Sequence, residues 1–180
     1  MMKQENNQYE FVSIFDEPIG FFKKNLSNLD CSYWVNKCYE YKKLNPISVN
    51  RSNENGYQSQ NEIQHLPEFY PLVNLLIKEV SLITPNLNNK ITSMWLNISD
   101  KGAFNRPHVH GYHKALSGVV YLKTPPNGGN IVFLNPLDIN FDKYVFTEEK
   151  DIILFNNYIP HYVEPNTSEE SRISIAFNYE

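Results

Sequence analysis

The chain has 180 residues, 41% of them hydrophobic and 14% aromatic, with a formal net charge of −4. That is the size of one domain spanning residues 1–180 around one core, and it is too apolar for disorder. Its charges are scattered rather than blocked, so no basic face offers itself to a nucleic acid or to an anionic membrane, and neither is expected as a partner.

The opening segment, MMKQENNQYEFV, has no apolar signal region, and no later run approaches membrane-spanning length. A soluble, cytoplasmic protein is expected, in the host cytoplasm if the source is viral. The pairs Lys23–Lys24 and Lys42–Lys43 read as solvated surface. The spacing predicts a first helix from about Leu29 to Lys43, where Trp34, Cys38 and Tyr41 recur at i, i+4 and i+7, and Ser27 with Asp30 forms a weak capping box. Cys31 and Cys38 lie two turns apart on it, about 10 Å, too far for an undistorted disulfide. Neither belongs to a close Cys/His pair, so they read as reduced core thiols. A second helix is expected from about Pro67 to Ile83. Phe69, Leu72, Val73, Leu76, Val80 and Ile83 draw one apolar stripe, opened by Pro67 and stopped by Pro85.

After Asn88 the texture changes. ITSMWLNIS, SGVVYLK, NIVFLN, DIILFNNY, HYV and RISIAFNY are short, rich in β-branched and aromatic residues, and separated by turn signals. TPPNGGN is a strong turn, with Gly128 and Gly129 free to take positive φ. The fold class expected is α+β: residues 1–90 form a supporting region of helices and strands, and residues 91–180 an antiparallel jelly-roll core, a double-stranded β-helix of cupin type.

Three of the five histidines fall in RPHVHGYH. On an extended strand His108 and His110 point the same way with Val109 opposite, so two imidazoles could grip one cation. A pair of surface histidines near a turn is the bland alternative. The C-terminal stretch from Asn156 to Tyr179 reads as strand, polar turn, strand, a hairpin with His161 on its first arm and Arg172 opening the second. Arg172, Ser174, Ala176 and Asn178 line one face of the returning strand, and Ile173, Ile175 and Phe177 the other. The chain has only three arginines. One at the head of a strand's polar face suits a site, because a guanidinium presents a fork matching a carboxylate. Its plain alternative is an edge-strand ion pair with Glu169 or Glu170. Asn97 interrupts an apolar strand and could face the same cavity. Tyr121 could hydrogen-bond a ligand there or be a core tyrosine. His113 reads as a surface residue, and His65 has no evident partner.

This order, His-x-His, a distal His, then Arg with Ser at the second place beyond, resembles the iron(II)/2-oxoglutarate-dependent dioxygenases. RPHVHGYHKALSGVVYLKTP, GNIVFLNP, ILFNNYIPHYVEPN and RISIAFN are similar to a small group of such enzymes from marine bacteria and their phages. That group also carries a Ser/Asn-rich stretch like SNENGYQSQ (52–60), with Tyr57 where tryptophan is usual. The resemblance runs from about Arg51 to Asn178. It implies that His108 and His161 ligate iron(II), and that Arg172 with Ser174 holds the far carboxylate of 2-oxoglutarate; beside these, Tyr121 and Asn97 are candidate cosubstrate contacts on their own strand positions, with a core tyrosine as the alternative for Tyr121. His110 falls where most of the superfamily has Asp or Glu; either it ligates, or it stands aside and leaves an open position. The implied chemistry uses dioxygen and decarboxylates 2-oxoglutarate while hydroxylating a second, unidentified substrate. A cupin-like three-histidine dioxygenase needing no 2-oxoglutarate and a non-catalytic jelly-roll binding protein are the rival readings. A homodimer through the helical half is a further expectation.

Overall fold

A computed structural model describes residues 8–14, 20–84, 90–111, 115–135 and 142–180. Two antiparallel sheets face one another. The larger is built from β1 (Glu10–Ser13), β2 (Gly20–Asn25), β4 (Tyr57–Gln58), β5 (Ile91–Ser99), β7 (Leu116–Lys123), β10 (Asp151–Asn156) and β12 (Arg172–Tyr179), in the order β1-β2-β10-β7-β12-β5-β4. The smaller holds β3 (Asn53–Glu54), β6 (Phe104–His108), β8 (Ile131–Phe133), β9 (Lys143–Val145) and β11 (His161–Val163), ordered β3-β6-β11-β8-β9. This is the jelly-roll core. Among the described residues no helix is long and apolar enough to cross a membrane.

The larger sheet is covered on both faces, which is why its central strands are apolar nearly throughout. Helix α1 (Cys31–Leu44) and helix α2 (Tyr70–Ser81), the latter entered through a 3-10 turn at Pro67–Phe69, brace the outer face. There Trp34, Cys38, Leu72, Leu76 and Val80 pack into one cluster with Met94, Leu96, Ile98, Ile173, Ile175 and Phe177. Both cysteines are buried free thiols, and burial pushes Cys38 up to about 12. The opposite face of the same strands looks toward the smaller sheet, where Tyr121, Ile153 and Phe155 meet Ile131, Phe133 and Val145.

Six expected strands form, those at 91–99, 161–163 and 172–179 with the anticipated ends. Several local readings are corrected. His161 and Arg172 do not share a hairpin: β11 pairs with β6 and β8, whereas β12 lies between β7 and β5 in the other sheet. The chain between them crosses from sheet to sheet, held by Asn166, whose amide donates to the carbonyls of Ser99 and Glu170 (both 2.8 Å). TPPNGGN likewise joins strands of different sheets. Positive φ falls there on Asn127 and Gly129, not on Gly128. Asp30, not Ser27, caps the first helix, its carboxylate accepting from the Tyr33 N–H at 3.0 Å. Lys24 is not solvated surface; it is buried and paired with Glu79 at 2.7 Å. Strands β1, β2, β3, β4, β6 and β9 carry too short or too polar a pattern to stand out in the sequence.

Candidate metal centre and cosubstrate pocket

Between the sheets lies a cavity of about 460 Å³. On the smaller sheet His161 stands directly opposite His108 in the β6–β11 ladder, so both rings project to one side. Strand β6 ends at His108, and His110 lies beyond it. Alternation along a strand therefore does not bring His110 in, and Val109, expected on the far face, lines the cavity too. A backbone bond from the His110 N–H to the Asn157 carbonyl (2.8 Å) turns it inward instead. The ring centroids stand 5.1 Å apart for His108–His110, 4.3 Å for His108–His161 and 4.9 Å for His110–His161. One potential ligand nitrogen from each lies within 4.8 Å of the others.

The hydrogen bonds decide which nitrogen that is. His108 Nδ1 faces the Arg106 carbonyl at 2.7 Å, and His161 Nδ1 faces the Ile159 carbonyl at 2.9 Å. Carbonyls only accept, so both rings carry Nδ1–H and present a bare Nε2. His110 Nδ1 faces the Ser117 hydroxyl (2.8 Å) and Asn178 Oδ1 (3.1 Å). The Asn178 amide is oriented by its own donation to Ser93 Oγ (2.9 Å), which leaves Oδ1 as an acceptor and fixes the same tautomer on His110. His110 Nε2 then sits 3.2 Å from His108 Nε2, two lone pairs in contact. A cation placed between them would turn that repulsion into ligation. Burial lowers all three imidazoles, and repulsion from the neighbouring rings adds to it at His110, lowered to about 4, and at His161, lowered well below the usual range. All three are neutral near pH 7, the state in which imidazole binds a metal.

The rest of the cavity is built on the larger sheet. Arg172, Ser174, Ala176 and Asn178 of β12 all line it, as the alternation predicted. Asn97 and Tyr121 flank Ser174 in register on either side, so the three side chains form one row. Asn97 Oδ1 is buried without a partner, and burial pushes the Tyr121 phenol up to about 12. Arg172 is 4% exposed, and among the described residues it has no ion pair. Glu169 and Glu170, the proposed partners of the plain alternative, pair with Lys101 and Lys123. The Arg172 guanidinium instead donates to the carbonyls of Gly128 and Gly129 (3.0 Å each) and to Ser99 Oγ (3.2 Å). A buried cation held by neutral acceptors lacks a counter-charge, and desolvation lowers its pKa accordingly.

Residues 93–147 and 140–178 match the family described as "Putative 2OG-Fe(II) oxygenase". The chain is also similar in fold to several solved enzymes. The carbocyclase SnoK of nogalamycin biosynthesis, a non-heme α-ketoglutarate-dependent enzyme, superposes with a TM-score of 0.72 at 13% identity, over 89% of this chain and 79% of SnoK. A Pseudomonas putida prolyl-4-hydroxylase gives 0.68 at 14%, over 90% and 93%. HygX from Streptomyces hygroscopicus, solved with nickel and 2-oxoglutarate bound, gives 0.67 at 15%, over 89% and 82%. Comparison with curated protein sequences returns no match.

Sequence reasoning missed Ser117 as a support of His110, and it named Asn178 only as a face residue. The signal for Asn178 was present in the Arg-x-Ser-x-Ala-x-Asn alternation; Ser117 carried none. His65 is exposed and stands beside Gln64 (3.2 Å between side chains), away from the cavity. His113 lies outside the described residues.

Proposed function

We propose that His108, His110 and His161 hold one iron(II) through Nε2, and that Arg172 with Ser174 anchors the distal carboxylate of 2-oxoglutarate, so that this oxygenase hydroxylates a second substrate. The observation that carries the reading is Arg172, a buried guanidinium without a carboxylate partner among the described residues, in the same cavity as three neutral imidazoles. When bound, iron(II) and 2-oxoglutarate supply the oxidation: dioxygen is consumed, the oxo acid leaves as succinate and carbon dioxide, and the substrate gains a hydroxyl.

The chain's own residues position and insulate. The three Nδ1–H bonds hold the ring planes before any ligand arrives, which lowers the reorganisation needed on binding. The loop carbonyls at Gly128 and Gly129 set the guanidinium fork, and the Ser174 hydroxyl, with no hydrogen-bond partner among the described residues, is free for the same carboxylate. Asn97 and Tyr121 stand beside it as further cosubstrate contacts. Trp95 packs edge-on against His110 at 5.3 Å between centroids and walls that side of the site. The free buried thiols support a reducing, cytoplasmic setting.

The test is calorimetric titration of 2-oxoglutarate into metal-loaded protein without oxygen. Truncating one member of a desolvated charged pair costs about 3–5 kcal/mol. Arg172→Ala should therefore weaken cosubstrate binding by roughly two to three orders of magnitude, at about 1.4 kcal/mol per tenfold. Arg172→Lys should recover part of it, since an ammonium lacks the fork. Metal binding should survive both changes. Equal affinity in Arg172→Ala and wild type would discard the cosubstrate assignment in favour of a three-histidine dioxygenase without 2-oxoglutarate.

A further inference from the structure

All three arginines of the chain, Arg51, Arg106 and Arg172, line this one cavity. Among the described residues that line it not one is Asp or Glu, although acidic residues outnumber basic ones 20 to 16 in the sequence. Arg51 and Arg106 stand at the exposed rim, far in sequence from Arg172. Arg106 is already engaged. Its Nε sits 3.0 Å from the Glu54 carboxylate, and its Nη2 donates to the Arg51 carbonyl at 2.7 Å. That clamp holds the Ser/Asn-rich strap in place, the segment whose β3 end joins the smaller sheet and whose β4 end joins the larger. The strap spans the cavity from the histidines to the larger sheet. Ser52 places its hydroxyl 3.5 Å from His108 Nε2, and Gln58 and Asn61 line the other side. Two groups on the strap are left over. The Arg51 guanidinium has no ion pair or hydrogen bond among the described residues, and Asn61 Oδ1 is buried in the wall without a donor.

We propose that the primary substrate is an anion, whose carboxylate or phosphate ester Arg51 binds at the mouth while an N–H or O–H of the same molecule donates to Asn61 Oδ1. The charge balance, resting on the ligand set proposed above, points the same way. Three neutral imidazoles leave the metal's two charges to be cancelled by the dianionic cosubstrate alone. Glu54 neutralises Arg106, so metal, cosubstrate, Arg172 and Arg51 taken together keep two net positive charges, with no Asp or Glu among the described lining residues. A carboxylate in the place of His110 would have removed one of them. An anionic substrate offsets what that substitution leaves, whereas an apolar one would leave Asn61 unpaired and a cationic one would be repelled by Arg51.

The test uses the full chain loaded with manganese(II) and saturated with 2-oxoglutarate. Inorganic phosphate and acetate are titrated in and followed by paramagnetic relaxation of their phosphorus and methyl-proton signals, with acetamide as the neutral match to acetate. Saturable relaxation is expected for phosphate or acetate and not for acetamide, and the tighter of the two anions tells phosphate ester from carboxylate. Arg51→Gln should weaken the binding at least tenfold, Arg51→Lys should keep most of it, and the affinity for 2-oxoglutarate should be the same in all three proteins. The titration is repeated without 2-oxoglutarate. Anion binding that is absent, or equal in Arg51→Gln and wild type, overturns the proposal. Arg51-dependent anion binding in a protein that fails to bind 2-oxoglutarate upholds it and discards the cosubstrate assignment instead.

Discussion

Gly129 offers a quantitative check on how the loop after β7 holds Arg172. Its φ is +85°, and a Cβ built there would lie 2.3 Å from the Glu164 carbonyl oxygen and 3.1 Å from Arg172 Nη1. Gly102 is the matched control: φ is +81°, and nothing lies within 4 Å of a Cβ at that position. Alanine at either position carries the positive-φ penalty, about 1–2 kcal/mol. At Gly129 the overlap with backbone must also be relieved, at about 1–3 kcal/mol more by the cost of overpacking a filled site. Gly129→Ala should thus destabilise the protein by about 2–5 kcal/mol and Gly102→Ala by about 1–2 kcal/mol, read from urea midpoints at constant m. The shift that relieves the overlap moves the Gly129 carbonyl, one of the acceptors orienting Arg172. A hydrogen bond to a charged group contributes about 1.5–3 kcal/mol, so Gly129→Ala should lose roughly ten- to a hundredfold in 2-oxoglutarate affinity, measured calorimetrically on metal-loaded protein, while Gly102→Ala keeps it. Equal midpoints in the two variants, with cosubstrate affinity unchanged in both, would refute the close approach as the device that aims Arg172.

Replacing His108 or His161 with Ala should abolish tight iron or nickel binding by metal analysis; His110→Asp should retain it and His110→Ala should bind more weakly. Undiminished stoichiometry in both the His108 and His161 variants would remove the site. Asn178→Ala deletes an acceptor that fixes the His110 tautomer, and should cost about 10–100-fold in metal affinity by chelator competition, the usual scale for such supports; wild-type affinity would mean that Ser117 alone suffices. Burial keeps the three imidazoles neutral in the folded, metal-free protein, whereas the unfolded chain takes up protons below about pH 6.5. Their contribution to stability is therefore complete above that pH and is lost as pH falls toward about 4, where His110 titrates. The urea midpoint of metal-free protein should drop between pH 7 and 5, and a flat profile would contradict the burial argument.

Much of this was legible because the signals were local. The stripe from Phe69 to Val80 and the alternation from Arg172 to Asn178 follow from helix and strand periodicity, and both elements formed where the pattern lay. What the sequence hid was pairing at a distance. His161 and Arg172, eleven apart, look like two arms of a hairpin, yet they stand on opposite sheets because Asn166 ties the intervening chain to Ser99. His110 was found for an incomplete reason: the strand stops short of it, and Asn157 and Asn178, both remote in sequence, supply the orientation. The gathering of Arg51 and Arg106 with Arg172 was likewise invisible, since only the strap between the sheets brings Arg51 to the mouth.

The central claim is that one cavity holds iron(II) on the three histidines and 2-oxoglutarate on Arg172 at the same time. An anaerobic iron(II) titration with and without 2-oxoglutarate, followed by visible absorption, tests it most directly. The account predicts a weak charge-transfer band that appears only when both are present, saturates at one iron per chain, and is lost at the same 2-oxoglutarate concentration in Arg172→Ala. No band at saturating iron and 2-oxoglutarate, or a band with unchanged 2-oxoglutarate dependence in Arg172→Ala, would contradict it.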